Sequence, residues 1–151
     1  MGLDMYLNKK WYVGAEFEHR NVAGKISIKV GDTKLKIDFS KVSEIVERAG
    51  YWRKANQIHK WFVTNVQNEV DDCGHYYVST ADMQKLLEIC KQVKENHALA
   101  PELLPTGSGF FFGNTDYTEY YYEDIDTTIE ILEEALKETS YEVSFEYNSS
   151  W

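Results

Sequence analysis

The stretch Tyr51-Trp52-Arg53-Lys54-Ala55-Asn56-Gln57-Ile58-His59-Lys60-Trp61-Phe62-Val63 constrains the fold most, because its apolar positions recur at the spacing of one helix face. At about 100° per residue, Trp52, Ala55, Ile58, Phe62, Val63 and Val66 share one broad arc. An arc that wide needs cover, so the spacing predicts a core helix from Tyr51 to Asn68. Asn56 and His59 fall inside the arc or at its margin, and Arg53 and Lys60 lie just beyond Asn56. A buried amide or imidazole left without a partner costs roughly 1–3 kcal/mol, so each must have a specific hydrogen bond, to protein or to ligand. Trp61 falls on the far side with Lys54 and Gln57, where a strand, a second subunit or a ligand is expected to cover its indole.

Such a helix needs a sheet to lie on, and the N-terminal part of the chain reads as one. Met5 to Val13, continuing to His19, carries aromatic and β-branched residues. Ile26, Ile28 and Val30 alternate, as do Leu35, Ile37 and Phe39 against Lys34, Lys36 and Asp38. With turns at Asn21–Gly24 and Gly31-Asp32, this pattern predicts a three-stranded antiparallel meander with one wet, partly basic face. Ser40 to Gly50 reads as a turn or a short helical piece.

Downstream, Tyr76-Tyr77-Val78 fits a short strand. Ser79 or Thr80 caps a helix to about Asn96, with Asp82 three residues after Ser79 as in a capping box. Its stripe of Met83, Leu86, Leu87, Cys90 and Val93 makes Cys90 a core thiol. Phe110-Phe111-Phe112 reads as a buried strand. Asp116 to Glu138 predicts a third helix, with Tyr121, Ile125, Thr128, Ile129 and Leu132 on one arc and acids on the other. Tyr141, Val143, Phe145 and Tyr147 alternate as a late strand that would pair with the meander. The expected class is α+β, an antiparallel sheet covered by about three helices, in a single domain over residues 1–151.

The chain has 151 residues and two cysteines. It has no apolar run near the ~18 residues that a membrane-spanning helix requires, so a cytoplasmic protein with free thiols is expected and no membrane partner. Residues 1–60 hold 12 basic and 7 acidic side chains, whereas residues 116–146 hold 11 acids against Lys137 alone. The net charge of −9 leaves no basic surplus to drive counterion release, which argues against direct nucleic-acid binding. Aromatic residues make up 15% of the chain, more than a core of this size needs. Rings at surfaces meet partners, so a homo-oligomer is expected, and a ligand could lie at its interface.

Chemistry-bearing residues gather in three places. Arg53 and Lys60 could pair with phosphate, Asn56 and His59 could read polar edges, and Trp61, Phe110, Tyr117 or Tyr120 could stack on a base. Thr106-Gly107-Ser108-Gly109 offers backbone amides and the hydroxyls of Thr106 and Ser108, although it lacks the Gly-Lys-Ser/Thr of a P-loop. Asp116 closes that block. Asp71, Asp72, Cys73 and His75 match no zinc spacing and read as a turn, so neither a metal nor another cofactor is expected.

The opening Met1-Gly2-Leu3-Asp4-Met5-Tyr6-Leu7, the block from Tyr51 to Val63, the Asp71-Asp72-Cys73-Gly74 loop with Tyr76-Tyr77-Val78-Ser79, and Leu104 to Tyr117 together carry a resemblance over nearly the whole chain. It resembles a family of small bacteriophage and prophage proteins to which no activity is attached, so no catalytic role carries over. The resemblance implies an accessory protein in a host bacterial cytoplasm, where such proteins counter host defences.

Three functions fit these residues. The first is a non-enzymatic binder that sequesters a small nucleotide-like ligand, such as a defence signalling nucleotide, through Arg53, Asn56, His59, Lys60, Trp61, Thr106, Ser108, Phe110, Asp116, Tyr117 and Tyr120. The second is an inhibitor that docks on a host protein through the acidic segment 116–146. The third is a small hydrolase or nucleotide-modifying enzyme using His59 or His75 with Asp71, Asp72 or Asp116. The first ranks highest because no activated nucleophile is evident.

Overall fold

A computed structural model describes residues 2–14 and 27–151, and it is an α+β arrangement, the class expected from the sequence. Four strands, β1 (Asp4–Tyr12), β4 (Glu44–Arg53), β5 (His75–Val78) and β6 (Val143–Ser150), form one antiparallel sheet in the order β4-β1-β6-β5. Strands β2 (Lys29–Val30) and β3 (Thr33–Lys34) form a separate two-residue ladder around Gly31, whose φ of 59° suits the tight turn. Helices α1 (Asn56–Asn65), α2 (Thr80–Glu95), the single turn α3 (Ala100–Leu103) and α4 (Glu119–Ala135) complete the order. None of the described helices is long and apolar enough to cross a membrane.

The strand membership corrects the expected meander. β1 pairs with β4 on one side and β6 on the other, so the late strand does join the N-terminal one, but residues 35–39 form no strand of this sheet. The Asn21–Gly24 turn lies outside the described residues. Residues 44–53, read as a turn running into the central helix, are the longest strand, and α1 begins at Asn56 rather than Tyr51.

A bulge explains why period two is hard to see in β4. Leu7 faces Gly50 and Asn8 faces Arg48, so Ala49 is the extra residue, and the alternation changes phase there. Gly50 is a close-approach position, since a Cβ there would sit 2.5 Å from Ile131 Cγ2 of α4.

One sheet face is buried by the helices. Met5, Leu7, Trp52, Phe145 and Tyr147 meet Ile58 and Phe62 of α1, Met83, Leu86, Cys90 and Val93 of α2, and Tyr121, Ile125, Ile129 and Leu132 of α4. Each such side chain contributes about 1.5–3 kcal/mol by leaving water. Phe62 stacks on Tyr147 with ring centroids 3.9 Å apart, and Trp52 Nε1 donates to Thr128 Oγ1 at 2.9 Å, which ties β4 to α4. The capping box at Ser79 and Asp82 forms as expected, fixing where α2 starts. Burial pushes the Cys90 thiol up to about 12, in keeping with a core residue.

Candidate functional site

The residues singled out from the sequence do not form one wall. Asn56, His59, Lys60, Thr106 and Ser108 line one cavity and Arg53, Asp116 and Tyr120 another, while Trp61, Phe110 and Tyr117 line neither. Asn56, at the first position of α1, donates through Nδ2 to the carbonyls of Phe112 (3.0 Å) and Asn114 (2.8 Å) and accepts from the Gly107 amide at 3.0 Å. All three contacts are to backbone, so Asn56 is a structural staple with both amide protons spent. Thr106 joins it by donating through its hydroxyl to the Thr115 carbonyl at 2.9 Å.

The first cavity, of about 320 Å³, is lined by Asn56, His59, Lys60, Asp71, Thr106, Ser108 and Phe112, among others. His59 is only 1% exposed and both its ring nitrogens are engaged. Nε2 lies 3.0 Å from Asp71 Oδ1 and Nδ1 lies 2.7 Å from the Tyr147 hydroxyl. A carboxylate can only accept, so Nε2 carries the proton and Nδ1 accepts from Tyr147. Burial holds the imidazole below its ordinary value against the pull of Asp71 in the other direction, so His59 is neutral. Neutral and doubly bonded, it cross-links α1, β6 and the loop after α1. Lys60 Nζ donates to the Thr106 carbonyl at 3.2 Å, and Ser108 is exposed. The free hydrogen-bonding capacity on this wall is that of Lys60 Nζ and the Ser108 hydroxyl, both exposed.

The second cavity, of about 300 Å³, lies where the end of β4 meets the starts of α1 and α4. Two cations, Arg53 and Lys54, and three carboxylates, Asp116, Glu123 and Asp124, line it together with Gln57, Thr118 and Tyr120. Among the described residues no carboxylate pairs with Lys54, and Arg53 Nε reaches Asp4 Oδ1 only at 4.0 Å. Lys54 holds a φ of 60°, a left-handed conformation that costs a side-chain-bearing residue about 1–2 kcal/mol. Its amide donates to the Leu3 carbonyl at 2.8 Å and its carbonyl accepts from Asn56, so the strain is held by the sheet and the helix together.

The back of this cleft is polar and buried. Gln57 is 2% exposed, and its Nε2 donates to Asp124 Oδ2 at 3.1 Å. Burial raises the Asp124 acid to about 6, with the Gln57 bond opposing that rise. Tyr120 is 77% exposed, with no ring stacked on it among the described residues. Thr118 precedes α4 without capping an amide through its side chain.

Other expectations are corrected by packing. Trp61 is 5% exposed and packed edge-on to Phe62, so its own chain supplies the cover; it lines a separate cavity of about 240 Å³ with Leu103, Leu104 and Pro105, and its indole Nε1–H has no hydrogen-bond partner among the described residues. Its indole no longer argues for an oligomer. Tyr117 packs against Tyr121, at 5.0 Å between ring centroids, within a partly buried aromatic row. Phe110 to Phe112 form no strand: Phe112 is buried, while Phe110 is 85% exposed and lines neither cavity. The loop of Asp71, Asp72, Cys73 and His75 gathers no metal-binding group among the described residues. Asp72 instead accepts from the Gly74 amide and the Tyr76 hydroxyl, while His75 pairs with Glu146.

Of the expected residues, Arg53, Asp116 and Tyr120 therefore belong to the second cleft. Sequence reasoning missed Lys54, Gln57 and Asp124 there. Asp124 did carry a signal, because it sits four residues before Thr128 and three after Tyr121, within the apolar arc of α4. Comparison of the chain with protein-family models, with curated proteins and with solved structures finds no match.

Proposed function

We propose that the protein binds a small nucleotide-like anion in the cleft between Arg53, Lys54 and Tyr120 and holds it without chemical change. The observation that carries this reading is a pair of adjacent cations without close carboxylate partners among the described residues, in a cleft that also holds the Gln57–Asp124 hydrogen bond. Guanidinium and ammonium groups suit a phosphate, and an exposed tyrosine beside them suits a planar ring. The cleft volume falls at the small end of ligand sites, about 300–1,000 Å³. Retention rather than turnover is supported by the state of the reactive groups. His59 has both nitrogens engaged, Cys90 is buried, and Asp124 faces an amide rather than a nucleophile. In the phage setting that the sequence resemblance implies, retention would sequester a host signalling nucleotide.

The acidic segment 116–146 is the weaker alternative as a docking surface for a host protein. Lysines of the chain itself already meet part of it, Lys94 with Asp126, Lys91 with Glu133 and Lys137 with Glu134. Native mass spectrometry against a panel of mono-, di- and cyclic nucleotides tests the proposal and reports oligomeric state as well. An intact nucleotide should be retained, and the double variant Arg53→Glu, Lys54→Glu should lose at least tenfold in affinity, ~1.4 kcal/mol. Equal retention by the double variant would place the site elsewhere. Absence of any nucleotide adduct on the wild type would remove the proposed function.

A further inference from the structure

Given the proposed binding cleft, on which this inference rests, we infer that the ligand carries a guanine-type edge, read by the carboxylate of Asp124 at the back of the cleft. Asp124 Oδ2 accepts from Gln57 Nε2 at 3.1 Å, whereas Oδ1 has no donor among the described residues. Each carboxylate oxygen accepts along two directions. The group therefore has a vacant acceptor on Oδ1 and a second lone pair on Oδ2, in a wall whose neighbour Gln57 is almost fully buried. An ionised carboxylate in such a place, with its acid already displaced upward by burial, gains from any pair of N–H donors delivered to it.

The bases differ sharply in what they deliver. Guanine presents N1–H and the exocyclic N2–H side by side, a donor pair that matches the two oxygens of a carboxylate. Adenine presents one donor beside the N1 acceptor, and cytosine one donor beside N3, so each would set a lone pair against Asp124. Uracil and thymine have one N–H flanked by carbonyl oxygens. The other charges point the same way: Asp116 and Glu123 also line the cleft, so its carboxylates disfavour acceptor-rich base edges and leave the phosphate to Arg53 and Lys54. Thr118, whose hydroxyl caps no amide, also lines the cleft and is available as a donor to the guanine O6. Tyr120, 77% exposed at the cleft, is free to stack on the ring. Asp124 is half-buried, and a site that hydrogen-bonds the N–H groups of its ligand discriminates against an analogue that lacks them.

Isothermal titration of the full chain with guanosine, inosine and adenosine 5′-monophosphates at pH 7.5 tests the inference. The guanine nucleotide should bind at least tenfold more tightly than the adenine nucleotide. The hypoxanthine nucleotide, which keeps N1–H but lacks the exocyclic amine, should fall between them. In Asp124→Asn, an isosteric change that retains an oxygen facing Gln57 but removes the charge and an acceptor, the gap between guanine and adenine should close, through weaker guanine binding and tighter adenine binding than in wild type. Equal affinity of wild type for the guanine and adenine nucleotides would overturn the guanine assignment while leaving the proposed nucleotide site standing. A guanine preference that persists unchanged in Asp124→Asn would overturn the role of Asp124. Binding of none of the three would remove the site and the inference together.

Discussion

Gly113 lies directly against Lys54: a Cβ added to the glycine would sit 3.2 Å from Lys54 Cβ, and both residues hold positive φ, 88° and 60°. The contact brings the loop after α3 onto the junction of β4 and α1, and it sets one lip of the cleft. A glycine is needed on the loop side for both reasons, conformation and space. On the strand side a lysine is kept where a glycine would be less strained.

Replacement of that lysine should therefore separate stability from binding. Lys54→Gly should raise unfolding free energy by roughly 0.5–1 kcal/mol, the relieved left-handed strain less the added freedom of glycine in the unfolded chain. It should also weaken nucleotide capture. Chemical denaturation and titration of the same preparation check both, and a destabilised variant would contradict the strain assigned to Lys54.

Asn56 should be the most costly polar residue to remove from α1. Asn56→Ala strands the Gly107 amide and two carbonyls, and a loss of about 3 kcal/mol is expected in denaturant melts. Asn56→Asp should do no better, because a carboxylate would then face the Phe112 and Asn114 carbonyls. A loss below about 1 kcal/mol for both would show that the loop is held by other contacts.

These polar contacts mark the limit of what the sequence could reveal. The apolar stripes of α2 and α4, the Ser79 and Asp82 capping box and the alternation of Phe145 and Tyr147 are local patterns, and each formed the expected element. β4 was illegible because Ile45, Val46 and Ala49 also fit a helical spacing, and the bulge at Ala49 breaks the alternation that would have marked a strand. The need of Asn56 and His59 for specific partners could be read from their place on an apolar arc. That both partners would be protein could not, since Phe112, Asn114 and Tyr147 lie 56, 58 and 88 residues away. The cleft was half legible. Arg53, Asp116 and Tyr120 stood out by type, whereas Lys54 matters through a backbone conformation that no pattern encodes.

Buried His59 and half-buried Asp124 should give pH dependences of opposite sign. His59 titrates lower in the folded chain than its ordinary 6.5, so as pH falls through 6.5 the unfolded chain takes the proton first and stability is lost. Asp124 titrates higher, about 6 against 3.8, so its contribution is fully present below 3.8 and is lost as pH rises through 6. Relative to wild type, Asp124→Asn should gain about 1 kcal/mol at pH 7, discounted for solvent at the cleft mouth, and the gain should vanish by pH ~4. The deficit of His59→Gln should shrink as pH falls below 6.5. Parallel stability curves across pH for wild type and either variant would contradict the burial assigned to that group.

Thiol labelling separates the two cysteines. Cys73 is exposed and Cys90 is buried, its thiol pushed up to about 12. An aromatic disulfide reagent at pH 8 should titrate one thiol in the folded protein and two in denaturant. Two fast thiols without denaturant would show that α2 is not packed on the sheet as described.

The most direct test of the binding cleft is a titration of isotope-labelled protein with guanosine 5′-monophosphate, followed by backbone amide shifts. Shifts should concentrate at Lys54, Gln57, Gly113 and Tyr120, with Lys60 and Ser108 in the neighbouring cavity nearly still. Shifts centred on Lys60 and Ser108, or none at saturating nucleotide, would contradict the assignment of the cleft.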